Sequence, residues 1–384
     1  MSKGRLLFVV TEDWYLSMHF LHIAMYARKE GWDVTLICNT GQKGTHAIDQ
    51  ILDSGLRFVP VRLSRSAISP LNDLKTFRKI FNFVKEWRPD IIFSVAIKPI
   101  MISGLISRWF GIPLLSMMTG LGYVFTSDSL KAALVKPFIR GMLEFTFASP
   151  LSRLLVLNSE DVIWAEENLH VRKGEIRTLP GIGVDLDRFK VVPEPEGIFT
   201  LAYVGRMLKD KGIYELIDAV KILQQRKITL KLMLAGEPDP SNPASVKEEV
   251  ILEWQRQGLC EYHGHIMDVP GFLNRSHALV LPSYREGMPT CIIEASASGL
   301  PCVTTDVAGC REAVIHGKTG LIVPVRNSEK LAEAIAELYH NPDLRRQMGE
   351  NARRMAIDLY SQEIVQKQMV ELFSEWAGQW GGKK

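Results

Sequence analysis

FTLAYVGRMLKDKGIYELIDAV, residues 199–220, changes its period halfway along. As far as Gly205 it is a continuous apolar run, the pattern of a strand buried on both faces. From Ile213 on, Ile213, Leu216, Ile217 and Val220 recur at i, i+3, i+4 and i+7, which is helical spacing. Arg206 follows the strand's carboxyl end, and Lys211-Gly212 precedes the helix. Strand, cationic loop and helix together are half of a doubly wound α/β unit.

The same grammar runs along all 384 residues. Strands are predicted at 6–10, 33–38, 56–61, 90–95, 113–118 and 154–158, then at 199–205, 230–236, 278–282, 301–305 and 321–325, with helical patterns between them. One such pattern places Leu74, Phe77, Phe81 and Val84 at helical spacing. Two series of buried strands imply two Rossmann-like domains with parallel sheets, at 1–182 and 199–361. The Pro- and charge-rich stretch 183–198 reads as a linker. A last helix, 362–384, carries Ile364, Met369, Leu372 and Trp376 on or near one face and is expected to pack back on the first domain. Ligands of open α/β sheets bind beyond the strands' carboxyl ends, so the site is expected between the domains.

Composition narrows the partners. Residues 1–190 hold 24 Lys+Arg against 18 Asp+Glu, and 57–140 alone hold 13 against 4. Such a field suits an anionic surface. Interleaved with Trp109, Phe110, Phe138 and Phe145, it fits lipid headgroups at least as well as nucleic acid, and a plain basic face is the simpler alternative. The segment 129–147 sets Lys131, Lys136 and Arg140 beside Leu134, Val135, Phe138 and Ile139, which reads as interfacial or as a core helix. Five cysteines, Cys38, Cys260, Cys291, Cys302 and Cys310, lack zinc-ligand spacing and read as reduced thiols of a cytosolic protein. No run is long enough to span a bilayer, and 6–10 is too short for a signal-peptide core.

A second stretch, SYREGMPTCIIEASASG (283–299), flanks a predicted helix start with Glu286 and Glu294. Pro289 fits the first helical turn. Gly287 permits close approach of backbone to a ligand. The unpaired amides of that turn attract anionic or electron-rich groups. Glu294, one to two turns in, is placed to accept hydrogen bonds from a vicinal diol such as a ribose. Arg206 and Lys211 suit phosphate, the first as a fork and the second as a point charge. Solvated surface charge is the plainer reading of each residue taken alone.

Together, GRMLKDKG (205–212) and EGMPTCIIE (286–294), a Glu-x7-Glu motif, resemble the retaining glycosyltransferases of family 4, with the GT-B fold. The resemblance covers essentially the whole chain. It implies that Arg206 and Lys211 hold a donor diphosphate, that Glu294 binds the nucleotide's ribose, and that Glu286 faces the donor sugar. Gly205, Gly287, Met288, Thr290 and His265 complete the expected donor site. Neither cofactor nor metal is expected, because cations and helix-terminal amides neutralise the leaving group.

In the first half, VTEDWYLSMHFLHIA (10–24), KPIMISGLISRWFGIP (98–113) and TGLGYVFTSDSL (119–130) resemble the branch acting on polyprenyl-diphosphate-linked sugars in capsule, O-antigen and bacterial N-glycan assembly. AGEPDPSNPAS (235–245) is similar to that branch too. It implies a UDP-sugar donor, an undecaprenyl-diphosphate-linked acceptor, an anionic membrane surface as partner, no nucleic acid, and a peripheral place on the inner face of the cell membrane. Gly120, Gly122, Lys98 and His19 are the candidate acceptor-binding residues. The sequence departs from the branch at Phe20, where a basic residue is expected beside His19, which weakens a phosphate role for that loop.

Other classes fit less well. A UDP-sugar epimerase shares the two-domain fold but needs acid/base groups in the first half, where none stands out. A nucleotide-sugar sensor would not need all four polar residues. A dinucleotide-dependent dehydrogenase would carry G-x-G-x-x-G after a first strand. Asp185-x-Asp187 lies in the linker and His263-x-His265 is a weak metal signal, so no metal site is predicted.

Overall fold

The computed structural model describes residues 3–40, 46–63, 70–120, 125, 130–240 and 242–381. The chain divides into two compact units, Met1–Gly183 with Glu363–Lys384, and Val184–Gln362.

The first unit holds a parallel sheet of β1 (Gly4–Glu12), β2 (Trp32–Asn39), β3 (Arg57–Val61), β4 (Ile91–Val95), β5 (Leu114–Met117), β6 (Ser152–Val156) and β7 (Ile176–Thr178), in the order β3-β2-β1-β4-β5-β6-β7. Leu6 to Val10 are fully buried, as a strand covered by helices on both faces requires. Six of these strands overlap the predicted runs. β7 was not predicted, because three residues at a sheet edge are too few to show a period.

The helix Pro70–Trp87 forms where predicted, with Val84 buried and Phe77 and Phe81 packed partly buried against the core, but its most buried row is Thr76, Ile80, Val84 and Trp87, and Leu74 is exposed. Burial follows the row that meets the sheet, and Leu74 lies outside it. The helix Gln362–Gly381 belongs to this unit from Glu363 on. Its buried stripe is Val365, Met369, Phe373 and Trp376, with Ile364 and Leu372 at its flanks. Phe373 meets Phe8 and Phe93 edge-on at 5.8 and 5.4 Å. Arg153, itself buried, donates to Glu375 (2.8 Å) and Glu175 (3.2 Å) and lies 3.9 Å over the Trp376 ring.

The second unit holds β8 (Phe199–Val204), β9 (Leu230–Ala235), β10 (Glu261–Tyr262), β11 (Ala278–Leu281), β12 (Cys302–Thr305) and β13 (Gly320–Val323), all parallel, in the order β10-β9-β8-β11-β12-β13. The two-residue β10 is again an unpredicted edge. Ile213, Leu216, Ile217 and Val220 are all buried on the helix Ile213–Gln225. Residues 184–198, read above as linker, are held to this unit. Arg345 donates to Glu194, Arg353 Nη1 donates to the Phe189 carbonyl (2.8 Å), and Val184 N donates to the Tyr360 carbonyl (2.7 Å). Among the described residues no helix is long and apolar enough to cross a membrane.

Candidate active site

In the second sheet β8 has β9 on one side and β11 on the other, so chain progression reverses between β8 and β11. Such a switch point leaves room beyond the strands' carboxyl ends for a ligand. The loops that follow β8 and β11 are the two stretches singled out above.

These loops are tied together. Asp210 O accepts from Tyr284 N (2.8 Å) and Ser283 Oγ (3.2 Å), and Tyr284 Oη donates to Glu215 (2.6 Å). Gly212 has φ +69°, and a Cβ there would lie 2.0 Å from Pro282 O. Only glycine takes that conformation at that distance. Gly309, after β12, closes from a third side, where an added Cβ would lie 2.3 Å from Gly287 O.

On this frame Lys211 Nζ donates to Glu286 Oε1, both side chains being largely buried. Arg206 Nη1 donates to Asp239 Oδ2 at 2.8 Å, with nearly half of the arginine side chain exposed. Tyr203, fully buried, donates its hydroxyl to Arg206 O at 2.9 Å and so fixes the turn in which Arg206 sits.

Glu294 lies in the helix Thr290–Ala297, whose first turn no side chain caps. Pro289 occupies the N-cap, one position before the expected first turn. Desolvation raises the Glu294 carboxyl to about 7, with Arg188 opposing the shift. Near neutral pH this carboxyl is therefore divided between its protonated and ionised forms. The Cys310 thiol, on the helix after β12, is pushed up to about 12 by burial, so it is neutral.

Met288 is buried, Gly205, Gly287 and Thr290 are half-buried, and His265 is exposed in the loop after β10. Asp185 Oδ1 accepts from the Asp187 and Arg188 amides, a turn-forming role. Among the described residues no three His, Cys, Asp or Glu are grouped to hold a metal ion.

The acceptor candidates belong to the first unit. There the switch lies between β1 and β4, with His19 following β1 and Lys98 following β4. Lys98 Nζ pairs with Asp73 at 2.9 Å. His19 packs its ring edge-on to Tyr15 at 4.8 Å, and burial, aided by His22, lowers it to about 4, so it is neutral at pH 7. Gly120, after β5, has φ +145°, and Gly122 lies outside the described residues.

Three residues escaped sequence reading. Asp239 partners Arg206 from the loop after β9, the positive charge of Arg188 in the supposed linker opposes the rise at Glu294, and Ala96 holds φ +77°, a region nearly confined to glycine, at the end of β4. The Pro-Asp-Pro context of Asp239 was the one available signal.

Two parallel α/β units thus carry Arg206, Lys211, Glu286 and the desolvated Glu294 on the loops and helix that follow β8 and β11 of the second. Residues 5–149 match the family described as Glycosyl transferase 4-like, and residues 185–355 match Glycosyl transferases group 1. The chain is a glycosyltransferase of this two-part type, with the GT-B fold.

It is 27% identical over 340 residues to the N,N'-diacetylbacillosaminyl-diphospho-undecaprenol alpha-1,3-N-acetylgalactosaminyltransferase of Campylobacter jejuni, covering 84% of this chain and 87% of that one. It is 25% identical over 344 residues to the UDP-Gal:alpha-D-GlcNAc-diphosphoundecaprenol alpha-1,3-galactosyltransferase of Escherichia coli, covering 86% and 85%. Anabaena HepE, solved with UDP, shares the fold with a TM-score of 0.77 at 17% identity, over 97% of this chain and all of that one.

Proposed function

We propose that this chain moves a hexose or N-acetylhexosamine from a UDP-sugar to a sugar on undecaprenyl diphosphate, with retention, in bacterial surface-glycan assembly. The observation that carries this reading is the Lys211–Glu286 pair beside Arg206, at the switch point of a glycosyltransferase fold. The acceptor class rests on the two relatives, whose names specify diphosphoundecaprenol-linked acceptors and α-linkages.

In this reading Glu294 accepts hydrogen bonds from the ribose hydroxyls, while Arg206 and Lys211 grip the diphosphate. The acceptor hydroxyl attacks the anomeric carbon on the face that the diphosphate leaves. The new C–O bond forms as the sugar–phosphate bond breaks, and the hydroxyl's proton passes to a departing phosphate oxygen. Charge grows on that phosphate in the transition state, which is where the two cations raise the rate. Glu286, holding Lys211 by one oxygen, faces the sugar with the other. Cations do the neutralising, so no metal is required.

The acceptor would meet the first unit through Gly120, Gly122, Lys98 and His19. Exposed Leu134, Phe138 and Trp109 beside Arg108, Lys136 and Arg140 support docking to an anionic membrane, as amphipathic cationic surfaces do.

The test is a panel of UDP-glucose, UDP-galactose and their N-acetyl forms against undecaprenyl-diphosphate-linked sugars, with the product linkage determined. Transfer with an α-linkage is expected. Transfer with inversion, or interconversion of UDP-sugars without acceptor, would overturn the proposal.

A further inference from the structure

Arg206 is the more exposed of the two cations, and its partner Asp239 comes from the loop after β9, 33 residues away. That loop is laced to the arginine's own. Met207 N donates to Glu237 O (3.0 Å), Lys209 N to Ala244 O (2.8 Å) and Val246 N to Met207 O (2.8 Å), and Leu208 and Ser245 form an antiparallel bridge. Asp239 is also pinned from within. Its amide donates to Ser245 Oγ (2.9 Å), and its carbonyl accepts from Asn242 N (2.8 Å). Pro238 and Pro240 flank it, fixing φ on both sides, and a residue before proline is steered away from the helical region. Gly236, at φ +127°, lets the strap start against the other loop, since a Cβ there would lie 2.0 Å from Gly205 O.

A solvent-exposed carboxylate needs none of this. A loop that sets three backbone hydrogen bonds, a bridge and two prolines around one carboxylate is suited to aiming its partner. The contact uses one oxygen and one N–H of a guanidinium that has five, so the remaining donors are left for another anion. A long side chain otherwise free to change rotamer is held in one.

We propose that Asp239 is a positioning residue, which presents the Arg206 guanidinium to the donor diphosphate rather than competing with it. This rests on the reading of Arg206 as a diphosphate ligand. A competitor and a positioner differ in sign, because removing a competitor tightens anion binding and removing a positioner weakens it.

The test is UDP binding to the full-length chain by calorimetry, with unfolding temperature measured alongside. Arg206→Ala is expected to weaken UDP at least tenfold and Asp239→Ala about fivefold. Asp239→Asn, which keeps the acceptor oxygen, should stay within threefold of the wild type. The double variant Arg206→Ala/Asp239→Ala should bind no worse than Arg206→Ala, because Asp239 acts only through the arginine. Pro240→Gly keeps the carboxylate but loosens the strap and should lose about twofold. Unchanged or tighter UDP binding in Asp239→Ala, with Arg206→Ala impaired, overturns the positioning role, as do additive losses in the double variant. Wild-type binding by Arg206→Ala would instead overturn the donor-site reading itself.

Discussion

Lys211 and Glu286, 75 residues apart in sequence, meet as an ion pair across the loops that follow β8 and β11. Each is largely buried, so each depends on the other for its lost hydration. Replacing Lys211 by Met should therefore cost stability, about 1–3 kcal/mol, because Glu286 keeps its burial and loses its partner. Lys211→Met/Glu286→Gln should recover most of that loss while staying inactive. Denaturant unfolding gives the first quantity. Initial rates with the UDP-sugar panel give the second, with a fall of about 10²–10³ expected for Lys211→Met. A double variant no more stable than Lys211→Met would show that the pair is not coupled.

Gly212 tests the frame that brings that pair together. Alanine there needs a positive φ and drives its Cβ into the Pro282 carbonyl, and that carbonyl leads directly into the loop bearing Glu286. The expected result is a loss of about 2–4 kcal/mol or failure to fold. The milder Gly309→Ala, pressing on Gly287 O, should fold and lose UDP affinity. Wild-type UDP binding in Gly309→Ala would mean that the loop after β11 does not need its present position.

Why some of this was legible in sequence and some was not follows from the physics of each residue. β11 is buried throughout and β8 is buried up to Val204, so their apolar runs showed, and Arg206, Lys211, Glu286 and Glu294 sit at fixed offsets from strand ends and a helix start. Asp239 and Arg188 sit in segments without period, and their partners are brought close only by the fold. Leu74 and Phe373 show a subtler limit. A helical period identifies the helix, but the row that faces inward depends on where the sheet lies, and neighbouring apolar rows look alike. Ala96 needs a backbone angle, which no side-chain pattern records.

Glu294 should make the chain sensitive to pH. Its carboxyl is raised from the ordinary 4.5 to about 7, so the folded chain holds a proton there that the unfolded chain releases. The associated stabilisation is complete below about 4.5 and is lost as pH rises through 7, a loss of about 3 kcal/mol by pH 8. Glu294→Gln should abolish that slope and be the more stable protein at pH 8. Ligand binding should run the opposite way, since the ionised form is the better acceptor for hydroxyls. UDP affinity of the wild type is expected to rise several-fold between pH 6 and 8. UDP's own phosphate also titrates in this range, so the comparison that matters is with Glu294→Gln at each pH. Parallel pH profiles for the two proteins would remove Glu294 from the ribose contact.

The exposed face of the first unit makes its own prediction. Arg108 lies 4.0 Å over the Phe145 ring, Phe81 meets Trp109 edge-on at 5.8 Å, and Arg88 lies 5.0 Å over Phe110. Side chains of three helices thus form one patch of aromatic rings and cations, with Trp109 74% exposed, and Leu134 and Phe138 at 83% and 63% further along the helix Leu130–Phe147. Rings of this kind insert at headgroup depth, and cations add about 1 kcal/mol each near an anionic surface. The chain should sediment with vesicles containing a third phosphatidylglycerol in 0.1 M salt and release partly in 0.5 M salt, because screening removes the ionic share and leaves the apolar one. Leu134→Glu/Phe138→Glu should abolish sedimentation at both salt concentrations while leaving UDP binding intact. Arg108→Ala should weaken sedimentation more at low salt than at high salt. Sedimentation that is complete with neutral vesicles, or unaffected by the two glutamates, would assign membrane binding to another face.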